Sequence, residues 1–248
     1  MPQWLAAGGA GLLAGSALLL GSLIAWFVDV PRRIVAVVMS FGAGVLISAL
    51  SFELVLEAVD QGGVLATVLG FAVGAVAFVG FNVLLARAGA RHRKRSGGQQ
   101  PSADEGGGAA IALGALLDGI PESMVLGLSF LTGGGLSVAM LGAVFVSNVP
   151  EGLSSTAGMK KGGRSPAYVF GIWGGIAVVS GLAALAGYAL LDGAAPTTIA
   201  FVNALAAGAI LAMITDTMVP EAFEEASLYS GLIASIGFLV AFSLHALG

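Results

Sequence analysis

Long apolar stretches separated by short polar connections set the pattern of this chain. A hydrocarbon core about 30 Å thick takes about 20 apolar residues per helix, and about eight runs reach that length. They lie at about 5–27, 34–58, 63–86, 108–130, 135–157, 167–191, 197–219 and 228–246. The pattern predicts an all-α, polytopic membrane protein whose residues 1–248 form a single transmembrane domain of eight helices. The connection 88–107 is the one long non-apolar stretch, basic at first (Arg91, His92, Arg93, Lys94, Arg95) and then rich in Gly, Ser, Gln, Pro and acids. Such a segment cannot bury a core and is expected as a flexible cytoplasmic loop.

Composition sharpens this picture. The chain is 57% hydrophobic and 10% charged, with a mean hydropathy of +0.98, values that exclude an ordinary soluble domain. Cysteine is absent, which excludes disulfides, thiolate metal sites and cysteine redox chemistry. The first apolar run lacks the basic leader of a signal peptide and reads as a retained helix.

Charge placement orients the helices. All ten Lys and Arg residues fall at three connections: Arg32 and Arg33, Arg87 to Arg95, and Lys160 to Arg164. The positive-inside rule makes these connections cytoplasmic and puts both termini outside. Trp4, Trp26, Tyr168, Tyr188 and Tyr229 fall near helix ends, where amphipathic rings meet headgroups, and Trp173 does not. Gly70 with Gly74 and Gly171 with Gly175 have the spacing of close helix contacts. His92 reads as part of a basic cluster facing anionic lipid, with transient metal binding as the alternative. His245 reads as interfacial.

Two pairs of helices resemble each other internally. Helix 2 carries Phe41-Gly42-Ala43-Gly44 and later Glu53 and Glu57; helix 7 carries Ala206-Ala207-Gly208-Ala209 and later Asp216 and Glu221. Helix 4 carries Asp118-Gly119-Ile120-Pro121-Glu122 and helix 5 carries Ser147-Asn148-Val149-Pro150-Glu151. With the orientation above, each pair runs in opposite directions. That predicts a 3+2+3 inverted repeat, the arrangement of alternating-access transporters.

The inserts in helices 4 and 5 carry the chemistry. Asp118 and Glu122 share one helix face about 6 Å apart, as do Ser147 and Glu151. If the short turn at 132–135 makes helices 4 and 5 an antiparallel hairpin, these groups converge with Asn148. A carboxylate inside a bilayer costs about 2.5–3.5 kcal/mol, and a divalent cation removes that cost. Pro121 and Pro150 leave the carbonyls of Leu117 and Val146 without helical partners, adding oxygen ligands. The alternative is a structural kink with a protonated glutamate. Metal ligands are therefore expected at Asp118, Glu122, Ser147, Asn148 and Glu151. Glu53 and Glu57 would form an entrance relay and Asp216 and Glu221 an exit relay, or serve simply as interfacial acids.

These residues resemble the ZIP (Zrt/Irt-like) family of divalent metal transporters, particularly its bacterial branch. The resemblance rests on the paired motif His-Asn-x-Pro-Glu-Gly, matched by Pro121-Glu122 and by Asn148-Val149-Pro150-Glu151-Gly152. It implies a primary metal site at Asp118, Glu122, Ser147 and Glu151, and a second that takes ligands at the positions of Gly119 and Asn148. Both motif histidines are replaced, Gly119 offers no side chain, and helix 6 reads Ser180-Gly181-Leu182-Ala183-Ala184 without an acid. Loss of imidazole shifts the expected preference from Zn²⁺ toward harder ions such as Mn²⁺ or Fe²⁺.

The expected function is inward transport of a divalent metal by alternating access across a bacterial inner membrane. The metal is the substrate, no cofactor is implied, and the partners are the metal and the lipid bilayer, with no nucleic acid; a homodimer is compatible. The alternatives are a metal-binding but transport-inactive or sensor-like relative, and an intramembrane hydrolase. The hydrolase reading lacks a His-Glu-x-x-His motif and any Ser/His or Cys/His pair, and no enzyme activity is expected.

Overall fold

The computed structural model describes residues 2–103, 108–131, 136–226 and 228–247, so the predicted turn at 132–135 lies outside the described residues. Among them the chain is helical, without strands: α1 (Gln3–Phe27), α2 (Arg32–Ala49), α3 (Glu57–Leu85), α4 (Gly108–Leu128), α5 (Val138–Lys161), α6 (Pro166–Leu191), α7 (Pro196–Met213), α8 (Val219–Ala226) and α9 (Ser230–Leu247). π-helical turns extend α2 (Leu50–Leu56), α3 (Ala86–Ala90) and α7 (Ile214–Met218). Glu53 and Asp216 sit on the first and last of these, at corresponding ends of the two helices compared above.

Local chemistry fixes several boundaries. Met140 N donates to Ser137 Oγ (3.0 Å) and Tyr168 N to Ser165 Oγ (3.2 Å), capping α5 and α6. Proline occupies the first turn of α6 and α7, where its missing N–H costs nothing. Lys160 and Lys161 close α5, at the end where cations complement the helix dipole. Gly63, at φ 79°, breaks the run from α2 into α3 near the expected boundary.

Six helical stretches among the described residues are long and apolar enough to cross a membrane, with Arg32–Ala90 counted as one continuous stretch of 59 residues. A straight helix of that length would reach nearly 90 Å by its rise, roughly three bilayer cores, so the break at Gly63 is required by geometry. α5 is not among the six. It carries Ser147, Asn148, Glu151, Ser154, Ser155 and Thr156, all buried.

Helices pack through glycine against bare backbone. A Cβ added at Gly152 would stand 2.2 Å from Leu18 O, and one at Gly21 would stand 2.0 Å from Val149 O, joining α1 and α5 from both sides. The same reciprocity joins α4 to α6 (Gly127 on Ala184, Gly187 on Met124), α2 to α9 (Gly44 on Ala234, Gly237 on Phe41) and α3 to α7 (Gly74 on Leu205, Gly208 on Phe71). Small residues let backbones approach this closely where apolar surroundings give no other drive to associate. Gly70 and Gly74 thus serve as expected, whereas Gly171 and Gly175 face open space.

One expectation fails. α4 and α5 meet only sparsely and do not form a close hairpin. Each commits its glycine seam elsewhere, α4 to α6 and α5 to α1, which keeps the two helices apart.

Gly208→Val places its side chain on the Phe71 carbonyl, where a Cβ would stand 2.0 Å away. It should destabilise the detergent-solubilised protein by about 1–3 kcal/mol or more. Gly171→Ala, with nothing within 4 Å of its Cβ, should leave the melting temperature unchanged or slightly raised. Thermal melts of both variants check the contrast.

Candidate functional site

α4 places Asp118 and Glu122 one turn apart, and α5 places Glu151 opposite; all three are almost completely buried. The helices continue through Pro121 and Pro150. Ionised carboxylates in such a setting need counter-charge, and two basic side chains from the connection between α3 and α4 supply it. Arg93, 2% exposed, takes Asp118 in a bidentate grip, with Nε to Oδ2 at 2.8 Å and a terminal nitrogen to Oδ1 at 2.7 Å. Lys94, 5% exposed, places Nζ 2.7 Å from Glu151 Oε2 and 3.4 Å from Asp118 Oδ2. These lysine contacts are ion pairs by distance, off the axis of a hydrogen bond. Burial opposes a charge on Lys94, but Asp118 and Glu151 outweigh it and hold the ammonium above the usual lysine pKa.

Two cations face three carboxylates. Glu122 feels Glu151, Lys94 and Asp118 electrostatically, yet its Oε1 has no hydrogen-bond partner, and neither has Glu151 Oε1. The void beside Asp118, Asn148 and Glu151 is only about 10 Å³, about the least that holds one water. Among the described residues, no three His, Asp or Glu side chains are placed to hold one metal ion.

The remaining expected ligands are turned to other work. Ser147 Oγ donates to Val144 O within its own helix (3.0 Å), and Asn148 Nδ2 donates to Ala14 O of α1 (2.9 Å). Gly119 lies near Ser180 and Ile176 of α6 without a polar group to contribute.

The relay candidates separate into two regions. Glu53 accepts from Ser137 Oγ (2.7 Å) and pairs with His245. Together with Glu57, Asp60 and Asn203 they line a cavity of about 410 Å³. Of its lining residues, Glu57 accepts from Gln61 Nε2 at Oε1 (3.0 Å), and Asn203 Oδ1 is buried without a partner. At the other end Asp216 accepts from Asn82 Nδ2 (2.9 Å), and Asn82 Oδ1 accepts from Arg93 (2.8 Å), so Asp216 connects through Asn82 to Arg93 and Asp118. Glu221 accepts from Ser96 N (3.0 Å), from the Ser96 hydroxyl, and lies 3.0 Å from Ser154 Oγ.

The basic cluster expected at the lipid surface therefore does something different. Arg93 and Lys94 turn inward and pair with the buried carboxylates, which would otherwise lack counter-charge. Sequence reasoning missed both, along with Asn82 and the pairing of His245 with Glu53. The available signal was a charge imbalance: three carboxylates well inside their helices, with Lys and Arg of the surrounding helices confined to the helix ends.

Breaking this buried pair from one side leaves a bare charge, which costs about 3–5 kcal/mol. Asp118→Ala and Arg93→Ala should each lower stability by that order, while the double variant should lose less than the sum. Denaturation of the detergent-solubilised variants measures the coupling. No protein-family model matches this chain, and no curated protein matches its sequence.

Proposed function

We propose that this chain is a ZIP-like divalent cation transporter that moves metal inward by alternating access, using the carboxylates of Asp118, Glu122 and Glu151. The observation that carries the reading is the presence of three buried carboxylates on α4 and α5, of which Glu122 and Glu151 each keep an oxygen without a hydrogen-bond partner. Oxygen atoms left bare in an apolar interior are costly in a purely structural role and useful as cation ligands. With no imidazole beside them, they favour Mn²⁺ or Fe²⁺ over Zn²⁺.

The 3+2+3 inverted repeat is part of the same proposal. The seams α1–α5 and α6–α4 correspond under an exchange of halves, as do α3–α7 and α9–α2, each with glycines contributed from both sides. The π-helical turns bearing Glu53 and Asp216 correspond in the same way. In this reading α7, its π-helical turn and α8 together make the seventh helix and α9 the eighth. The three basic connections face the cytoplasm of a bacterium and the termini face outward. The cavity at Glu53, Glu57 and His245 is then the outer entrance, and Asp216 and Glu221 lie on the inner route.

A second reading is a metal-binding but transport-inactive relative. It is favoured by the seating of Arg93 and Lys94 where a metal would bind. Flux separates the two. In liposomes, uptake of labelled Mn²⁺ should fall to background for Glu122→Ala or Glu151→Ala, a loss of about tenfold or more, while both variants keep a folded melting transition. Wild-type binding without flux selects the inactive relative. Thermal shifts across Zn²⁺, Mn²⁺, Fe²⁺, Co²⁺ and Mg²⁺ should be largest for Mn²⁺ or Fe²⁺, and a clear Zn²⁺ preference would refute the oxygen-only ligand set.

A further inference from the structure

A connection between two apolar helices has no general reason to bury itself among others, yet Arg93, Lys94, Ser96 and Gln100 are buried there and the segment is fastened in place. Gln100 Nε2 donates to Arg93 O (2.9 Å) and Ser155 O (3.0 Å), and Ser154 Oγ donates to Lys94 O (2.6 Å). Lys161 Nζ donates to Ser96 O (2.6 Å) and Ser96 N to Glu221 Oε1 (3.0 Å). Two helix glycines shape the seat. A Cβ at Gly114 would stand 2.5 Å from Arg93 Cδ, and one at Gly158 would stand 2.2 Å from Arg95 O. Backbone anchors, a cleared seat and three ion pairs converge on one arrangement, so the inward turn of Arg93 and Lys94 is built into several parts of the chain.

The ammonium of Lys94 lies between Asp118 and Glu151 and so does electrostatically what a bound cation would do there. It cannot share that place, since only about 10 Å³ is left. We propose that Arg93 and Lys94 are tethered, exchangeable occupants of the central carboxylate site and compete with a divalent metal ion for Asp118, Glu122 and Glu151. The metal as competitor rests on the proposed function above. A tethered competitor has a high effective concentration, and metal binds the fraction of molecules whose seat is vacated, which raises its apparent dissociation constant. By linkage, bound metal expels the loop to the same extent.

Mn²⁺ titration of the purified full chain tests this, with free Mn²⁺ read by electron paramagnetic resonance. The Arg93→Gln/Lys94→Gln variant removes the competing charges. Gly158→Ala touches no charged group, favours the helix and bars the loop by size. Both should bind Mn²⁺ about tenfold or more tightly than the wild type. A Ser96→Cys variant of this cysteine-free chain adds a second readout: position 96 is 3% exposed, and Mn²⁺ should speed its labelling by a maleimide. Equal Mn²⁺ affinity in the wild type and both variants, each with its melting transition intact, would overturn the loop's role and leave the metal reading standing. Absence of Mn²⁺ binding in all of them, with labelling unmoved by metal, would overturn both.

Discussion

Neutralising negative charge inside an apolar helix bundle is the constraint on which the rest of this structure depends. Asp118, Glu122 and Glu151 are buried where water cannot screen them, and each uncompensated charge would weigh heavily against a folding free energy of only about 5–15 kcal/mol. The chain meets the demand with a guanidinium and an ammonium carried on a connection. That choice has structural consequences at a distance. Gly114 and Gly158 must lack side chains, Gln100 must bridge backbone carbonyls, and Ser154 must present its hydroxyl inside α5.

The bundle itself is held by a different principle. Its helices approach through glycine seams in which hydrogen and carbonyl surfaces meet directly, with alanine and leucine filling the remainder. Polar groups that the seams enclose are satisfied locally. Trp173 Nε1, for example, donates to Thr156 Oγ1 (2.9 Å), which is why this tryptophan lies away from the helix-end positions of the other aromatics. Exposed Val, Leu and Phe side chains along α3 and α9 complete the pattern of an apolar exterior.

Hydrophobic runs made the helical elements and the break near Gly63 legible, because helix length and apolar composition are local properties. Burial of Asp118, Glu122 and Glu151 was legible for a similar reason: an acid in the middle of an apolar run has nowhere else to go. The occupants of the space around them were not. Arg93 and Lys94 sit in a run of basic residues whose composition matches a lipid-facing cluster equally well, and their inward turn depends on ion pairs to residues 24 or more positions away in sequence. Likewise the sparse meeting of α4 and α5 follows from where Gly127 and Gly152 find partners, a tertiary choice that the shared Pro-Glu spacing does not encode. Asn148 shows the same limit, since its amide is spent on the Ala14 carbonyl of a helix far off in the chain.

The glycine seams sort the helices into two bodies. Backbone-to-backbone contacts at glycine join α1, α4, α5 and α6 to one another and join α2 to α9 and α3 to α7; across the division, a Cβ at Gly42 would stand 3.2 Å from Pro150 and 3.4 Å from the Cα of Ser147, looser than the seams. All three central carboxylates belong to the first body, whereas Asn82 and Asp216 belong to the second. Arg93 holds Asp118 with one side of its guanidinium and Asn82 with the other, so it spans the boundary as a latch. A displacement of one body against the other would part Arg93 from Asp118 or from Asn82, so the pairing in this one pocket depends on how the two halves of the molecule sit together.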